Sequence, residues 1–119
     1  YFVYAEEADW CRRIRAAGWR CVFAPVAQIL HLEGGGKSTA QIRSKMYVQM
    51  QTSHRIYARK HHGALGHAMV RGLFIVSAVL RGAAFGVTSL LRPTEDARAR
   101  VRLARASLGY HLMGREPDA

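Results

Sequence analysis

The chain has 119 residues, half of them hydrophobic, which is enough for one domain with a packed core and excludes a wholly disordered protein. Its 18 Lys and Arg against eight Asp and Glu give a formal net charge of +10. This charge favours an anionic partner: nucleic acid, a lipid headgroup surface or a phosphorylated substrate. The two cysteines, Cys11 and Cys21, match no zinc-finger spacing and make no disulfide framework, so we expect reduced, buried thiols in a cytosolic setting.

The chain opens on an aromatic stretch followed by a short helix. Residues 1–5, "YFVYA", have the composition of a short buried strand, and from this opening we expect the sequence to be a piece of a longer protein. Residues 6–17 follow with apolar side chains at helical spacing. Gly18 is the predicted helix stop.

Two more short strands and a loop are predicted next. The stretches "WRCVFAP" and "AQILHL" are rich in residues that favour strands, and the second ends at His31. The glycine run at 34–36 predicts a loop. The N-terminal third therefore predicts an α/β arrangement.

The remaining two thirds predict helices. Residues 40–61 form an amphipathic, basic pattern that ends near Gly63, and residues 94–113 form another, with Thr94 as its capping residue. Between them, residues 72–91 are apolar enough to form a third helix, long enough to span a bilayer. We expect the tail after these helices to be frayed.

The apolar segment 72–91 allows two placements. A spanning helix would bury Arg81 near the bilayer centre, at a cost of about 2.5–3.5 kcal/mol. A helix in the membrane interface, or packed on protein, would instead turn its polar stripe of Ser77, Arg81, Thr88 and Arg92 to headgroups or water. We predict the second placement, with four apolar side chains buried: Phe74, Val76, Leu80 and Phe85.

Three carboxylates lie within four residues, in the stretch "YAEEADWC". Glu6, Glu7 and Asp9 fit the acidic first turn of an ordinary helix, where carboxylates interact favourably with the helix dipole. The same residues also fit an active site at a junction of strand and helix. The order of the elements around them distinguishes the two interpretations.

That order resembles the second half of the family 2 glycosyltransferases with the GT-A fold, in particular the rhamnosyltransferase-like group of bacterial cell-surface polysaccharide enzymes. Their pattern has aromatic residues, a Tyr, a Glu-Asp/Glu pair, an Asp, a Cys and an Arg, then Gly-Trp, a strand ending in Pro, and a His before a Gly/Ser-rich loop. The segment "RKHHG" at 59–63 is similar to the end of the helix that follows. The matching residues here are Phe2, Tyr4, Glu6, Glu7, Asp9, Trp10, Cys11, Arg13, Gly18, Trp19, Pro25, His31, 34–36 and Ser38.

The resemblance implies a fold and a division of the chain. The fold would be an α/β fragment, mostly helical, that forms the C-terminal half of a GT-A domain. Residues 1–39 would be the acceptor-side catalytic portion, and residues 40–119 a helical region associated with a membrane. The nucleotide-binding strands and the metal-binding Asp-x-Asp motif would belong to a preceding half.

The resemblance also implies roles on the acceptor side. Glu7 would be the general base that takes the proton from the acceptor hydroxyl as it attacks the anomeric carbon. Glu6 would complete the catalytic pair, and Asp9 and Trp10 would bind the acceptor. Glu6 and Asp9 have orientation of the helix as their alternative role.

On the donor side, the resemblance implies that His31 completes the coordination of a Mg²⁺ or Mn²⁺ on the diphosphate of a nucleotide sugar. Lys37 and Ser38, in the glycine-rich loop, would bind that diphosphate. Without the context of the resemblance, a histidine at a strand end such as His31 is more often a structural residue than a metal ligand. His61 and His62 are interpreted as solvated residues at a helix end.

The predicted function is therefore inverting transfer of a sugar from a nucleotide-diphosphate donor to a glycan or lipid-linked acceptor in cell-surface polysaccharide synthesis. The predicted location is the cytoplasmic side of the cell membrane, with peripheral attachment to its anionic surface. The alternatives are a basic membrane-surface module and a nucleic-acid-binding module, both without catalysis. We expect no nucleic-acid partner, because the basic residues are spread over several helices and match no recognition motif.

Overall fold

The computed structural model describes residues 1, 3–28, 30 and 43–114 of the chain. Across these ranges it contains three helices: α1 (Glu6–Ala16), α2 (Arg43–Leu91) and α3 (Glu95–Met113). α2 is broken at Gly63, which divides it into a first arm, 43–62, and a second arm, 64–91. The main packing is between α2 and α3, and the molecule is elongated, 53 × 38 × 23 Å.

The predicted α/β fold class is wrong, because no strand is present anywhere in the described ranges. Residues 3–5 form bends, and residues 19–28 have no regular structure. The β-favouring side chains of that second stretch lie in the open, with Phe23 91% exposed. A strand is stabilised by hydrogen bonds to a neighbouring strand and by packing on one face, and these residues have neither here.

The predicted helix 6–17 is confirmed as α1, but the backbone before it differs from the prediction. Tyr4 and Ala5 both have positive φ, 71° and 65°, a strained conformation for residues with a side chain. The Oγ of Ser53 donates to the Val3 carbonyl at 2.7 Å, which fastens this turn to the first arm of α2. The acidic residues therefore follow a tight turn and not a strand.

The C-terminal end of α1 follows the prediction from Gly18. This residue has φ 88°, which glycine adopts without steric cost. The amide of Gly18 donates to the Arg15 carbonyl at 3.1 Å, and that of Trp19 to the Ile14 carbonyl at 3.1 Å. The two bonds form a Schellman motif, which ends the helix.

The helices predicted at 40–61 and 72–91 are joined into α2. The intervening residues, "ALGHAMVR" at 64–71, contain no proline and continue the helical pattern, so the second arm begins well before residue 72. The predicted break near Gly63 is confirmed. α3 starts as expected, with the Thr94 side chain accepting a hydrogen bond from the Ala97 amide at 3.2 Å.

The break at Gly63 gives a prediction with a matched control. Gly63 has φ 67° and ψ −160°, a region that only glycine occupies readily. A Cβ at this position would meet no atom within 4 Å, so its cost is purely conformational. We expect Gly63→Ala to lower the free energy of unfolding by about 1–3 kcal/mol, measured by denaturant titration.

Gly72→Ala is the control. Gly72 is also free of neighbours within 4 Å, but its backbone is helical. The same substitution there should raise the free energy of unfolding by up to about 1 kcal/mol. A Gly63→Ala variant as stable as the unmodified chain would show that the break is not fixed by the backbone of this residue.

The interior is built from small and polar side chains instead of large apolar ones. Both α2 and α3 contribute buried alanines, and the Ala104 methyl lies 3.6 Å from the position a Cβ would take at Gly82. In the described ranges, the four largest fully buried side chains are all polar: His111, Gln51, Ser53 and Ser107. The buried residues in the described ranges are Val48, Ala58, Ala78, Ala97 and Ala104, with Asp9, Gln51, Ser53, Ser107 and His111.

The second arm only partly matches the burial predicted for it. Phe74 and Phe85 are half-buried, and Phe74 stacks on the His111 ring at a centroid distance of 5.4 Å. Val76 and Leu80 were also predicted to be buried by lipid or protein, and no part of the described chain covers them. The reason is that they lie on the side of the arm opposite to α3.

Candidate functional site

The three clustered carboxylates differ in their surroundings, because Asp9 is buried and hydrogen-bonded through both of its oxygens. Its exposure is 3%, and both its oxygens are bonded. Oδ1 accepts from His61 Nε2 at 2.6 Å and from the Tyr1 hydroxyl at 3.4 Å. Oδ2 accepts from Lys60 Nζ at 2.8 Å and from Arg13 Nε at 3.0 Å. Asp9 thus ties α1 to the end of the first arm of α2.

These contacts keep Asp9 ionised. The Lys60 ammonium, followed by His61 and Arg13, holds the pKa of the Asp9 carboxyl well below its usual range, although burial acts in the opposite direction. In turn, burial and the neighbouring Asp9 carboxylate raise the pKa of the Tyr1 phenol. Asp9 is therefore an acceptor only, at every pH where the protein is expected to work.

Glu6 and Glu7 lie in the first turn of α1 and have different surroundings. Glu7 is exposed. Glu6 is half-buried, and its Oε2 is out of contact with water and has no hydrogen-bond partner in the described part of the chain. Trp10, predicted to bind the acceptor, is 61% exposed on the same helix. Among the predicted acceptor-side residues, Asp9 has both carboxylate oxygens hydrogen-bonded to other residues of the described chain, whereas Glu7 and Trp10 remain exposed.

A cleft of about 400 Å³ opens beside this helix. It is lined by Ala8, Cys11, Arg12, Arg15 and Tyr57. The side chain of Arg12 bridges towards α2, with its guanidinium 3.1 Å from His62 Nε2 and 6.0 Å from the Tyr57 ring centroid. Two arginines and a phenol give the cleft a positive, hydrogen-bonding wall.

Sequence reasoning missed the role of His61. It was interpreted as a solvated residue at a helix end, and this is wrong, because its side chain is 12% exposed and bonded to Asp9. Lys60 was likewise treated only as part of a basic helix. One signal was available: "RKHHG" at 59–63 belongs to the same resemblance as the acidic motif, although the resemblance assigns it only to the end of the following helix.

The predicted donor-side residues, His31, Lys37 and Ser38, lie outside the described residues. Within the described ranges, no three His, Cys, Asp or Glu side chains lie close enough together to hold a metal ion. The Mg²⁺ or Mn²⁺ site at His31 therefore stays a prediction.

A second polar cluster lies at the contact of both arms of α2 with α3. His111 is buried, and its Nε2 donates to Gln51 Oε1 at 2.7 Å. The same oxygen accepts from Ser107 Oγ at 2.8 Å. Arg55 approaches His111 Nδ1 at 3.4 Å, and Arg71 donates to the His111 carbonyl at 2.6 Å. The cluster holds His111 in the neutral form, with the proton on Nε2.

This cluster predicts a pH dependence. Burial, then Arg55 and Arg71, lowers the pKa of His111 to about 4. The unfolded chain binds this proton near pH 6.5, so the folded chain binds fewer protons between those values. The contribution of His111 to stability is therefore complete above about pH 6.5 and is lost as the pH falls towards about 4.

The measurement is the free energy of unfolding from pH 7.5 to pH 4.5, by denaturant titration. His111→Gln should be less stable at pH 7.5 and should show a shallower loss on acidification than the unmodified chain. His54→Gln, at an exposed position, should leave the slope unchanged. Equal slopes for His111→Gln and the unmodified chain would contradict the assignment.

Comparisons with protein-family models, with characterised proteins and with solved structures gave no match to this chain. The resemblance to family 2 glycosyltransferases therefore rests on the motif residues, and family membership stays a prediction.

Proposed function

We propose that the chain supplies the acceptor-side carboxylates of an inverting glycosyltransferase, which moves a sugar from a nucleotide-diphosphate donor to a glycan or lipid-linked acceptor. The observation that carries the proposal is the division of labour in the acidic motif. Asp9 fixes the helix through Lys60, His61 and Arg13, while Glu7, two residues earlier, stays exposed on the helix so positioned.

The geometry fits the chemistry of a general base. A base for an acceptor hydroxyl must stand where a sugar can approach, within hydrogen-bond reach of the proton it takes. Glu7 lies four residues before Cys11, on the same side of α1, one helical turn from the cleft lined by Cys11, Arg12, Arg15 and Tyr57. Arginines suit a phosphate group, on the donor or on a lipid-linked acceptor.

Asp9 has the role of a positioning residue in this proposal. Its carboxylate has no free oxygen for an acceptor hydroxyl. Of the two roles that the sequence left open for Asp9, orientation of the helix is therefore favoured over binding of the acceptor. Glu6, which has one buried oxygen, would keep its predicted place in the catalytic pair with Glu7. The strained turn at Tyr4 and Ala5 supports a functional role for the carboxylates that follow it, because strain is commonly retained at functional sites.

The test is sugar transfer by the intact protein. It is supplied with a panel of nucleotide sugars, Mg²⁺ or Mn²⁺, and lipid extract from its own membranes as the acceptor source. We expect release of nucleoside diphosphate that requires both a donor and the extract, and a product with inverted anomeric configuration. A folded protein that releases no nucleoside diphosphate with any donor of the panel would overturn the proposal.

A second candidate is a non-catalytic module of the membrane surface. The exposed apolar side chains of the second arm favour it. It makes no use of Glu7, so it predicts that replacing Glu7 changes nothing measurable.

A further inference from the structure

The second arm of α2 carries a continuous apolar face that the described chain leaves uncovered. One helix in the described residues is long and apolar enough to cross a membrane, and only 6% of its most apolar window is buried. Between residues 64 and 91 the only charged side chains are Arg71 and Arg81. The large side chains on the face are each more than half exposed: Leu65, Met69, Leu73, Val76, Leu80 and Val87.

The two arginines of this arm lie away from the apolar face. Arg71 donates to the His111 carbonyl of α3, and Arg81 points to the Tyr47 hydroxyl at 3.5 Å. At 100° per residue, Val76 and Leu80 lie on the side of the helix opposite to Phe74 and Ala78, which pack towards α3. The arm thus keeps both of its charged side chains off the open side and exposes large apolar side chains there, whereas a helix in a water-soluble bundle exposes its charged side chains.

An exposed apolar face of this kind can bind a second copy of the chain or a lipid surface, and the net charge of the molecule favours the lipid surface. A second copy of the chain would bring another formal charge of +10 against the first, which opposes association. An anionic lipid surface is attracted by the same charge. Exposed cations stand at both ends of the face, Arg59 before the break and Arg92 just after α2.

The packing of α3 decides how the arm lies. α3 runs along the second arm and carries Arg98, Arg102 and Arg105 on exposed positions. A spanning arm would carry these arginines into the hydrocarbon, where charged side chains are strongly disfavoured. An arm parallel to the membrane plane immerses the apolar face alone and leaves α3 in water.

We propose that the apolar face of residues 64–91 docks onto an anionic phospholipid bilayer, with the arm parallel to the membrane. The inference is independent of the proposed function, since it uses none of the residues of the acidic motif.

The test is flotation of the intact protein with vesicles of phosphatidylcholine that contain about 30 mol % phosphatidylglycerol. We expect flotation, weakened by high salt and by omission of phosphatidylglycerol, and release by alkaline carbonate. Leu80→Glu should lower the bound fraction about tenfold or more, because it places a charge in the part of the apolar face that enters the lipid on binding. Its position is 64% exposed, so the fold should be retained, as circular dichroism would show.

Thr88→Glu is the matched control. It adds the same charge at an exposed position of the same arm but off the apolar face, and should change binding about twofold at most. Flotation of Leu80→Glu like the unmodified protein would overturn the proposal. Release only by detergent would overturn it in favour of a spanning helix. A stable dimer that Leu80→Glu dissociates, with no flotation, would overturn it in favour of a contact between copies.

Discussion

Replacement of Glu7 by glutamine is expected to lower the rate of sugar transfer by the intact protein about a hundredfold or more. A positioned general base contributes roughly 10²–10⁴-fold to such a step, and an amide keeps the shape of the side chain but cannot accept the proton. Because Glu7 is exposed and the expected loss concerns only the transition state, kcat should fall while binding of the nucleotide sugar stays nearly unchanged. Steady-state kinetics and donor titration measure the two quantities separately.

Glu95→Gln is the control for this substitution. Glu95 occupies the first turn of α3, as Glu7 does in α1, and is exposed. Its loss removes the same charge from the same kind of position and should leave transfer unchanged. Equal transfer rates for Glu7→Gln and the unmodified protein would rule out Glu7 as the base and favour the non-catalytic membrane module.

Replacement of Asp9 by asparagine is expected to release α1 from α2. The substitution removes the charge that holds Lys60 and Arg13. The NH₂ group of the new side chain is itself a donor, so it cannot accept the hydrogen bonds that these two residues donate to Asp9. A helix of 11 residues is marginal in isolation, so its protection from hydrogen exchange depends on this attachment. We expect the amides of residues 10–16 to exchange about tenfold faster or more, measured by mass spectrometry, while α3 is unaffected.

Asp96→Asn is the control for Asp9→Asn. Asp96 forms the same i,i+4 pair, with Arg100 at 2.7 Å, but on the surface, where such pairs contribute little.

Acid should reproduce the effect of the Asp9 substitution. Because the pKa of Asp9 is depressed in the folded chain, its contribution is present above about pH 4, the ordinary value for this group, and is lost only as the pH falls further. Unchanged exchange in α1 of Asp9→Asn would show that other contacts hold the helix.

Local signals in the sequence predicted the helices well. The acidic first turn and Gly18 predicted α1, and Thr94 with the two acids after it predicted the start of α3. Each of these signals acts within a few residues, through capping bonds that the backbone makes wherever the rest of the chain lies. The break at Gly63 was predicted for the same reason.

The strands and the core could not be predicted in this way. The β-favouring composition around Phe23 indicates a strand only if a neighbouring strand is present, and none is in the described residues. The Asp9 contacts join residues about 50 positions apart, so no local pattern shows that Lys60 and His61 reach the acidic motif. The apolar residues of the second arm predicted burial, but periodicity does not show what buries them.

The small and polar interior has a thermodynamic consequence. Unfolding raises the heat capacity mainly through exposure of apolar surface, and exposure of polar groups lowers it. The buried apolar residues in the described ranges are one valine and four alanines, and many large apolar side chains are already in contact with solvent in the folded chain. In water without lipid, the heat-capacity increment should therefore fall below the usual value of about 12–15 cal/mol/K per residue. The stability curve should be correspondingly flat, with little loss of stability on cooling and a gradual response to urea.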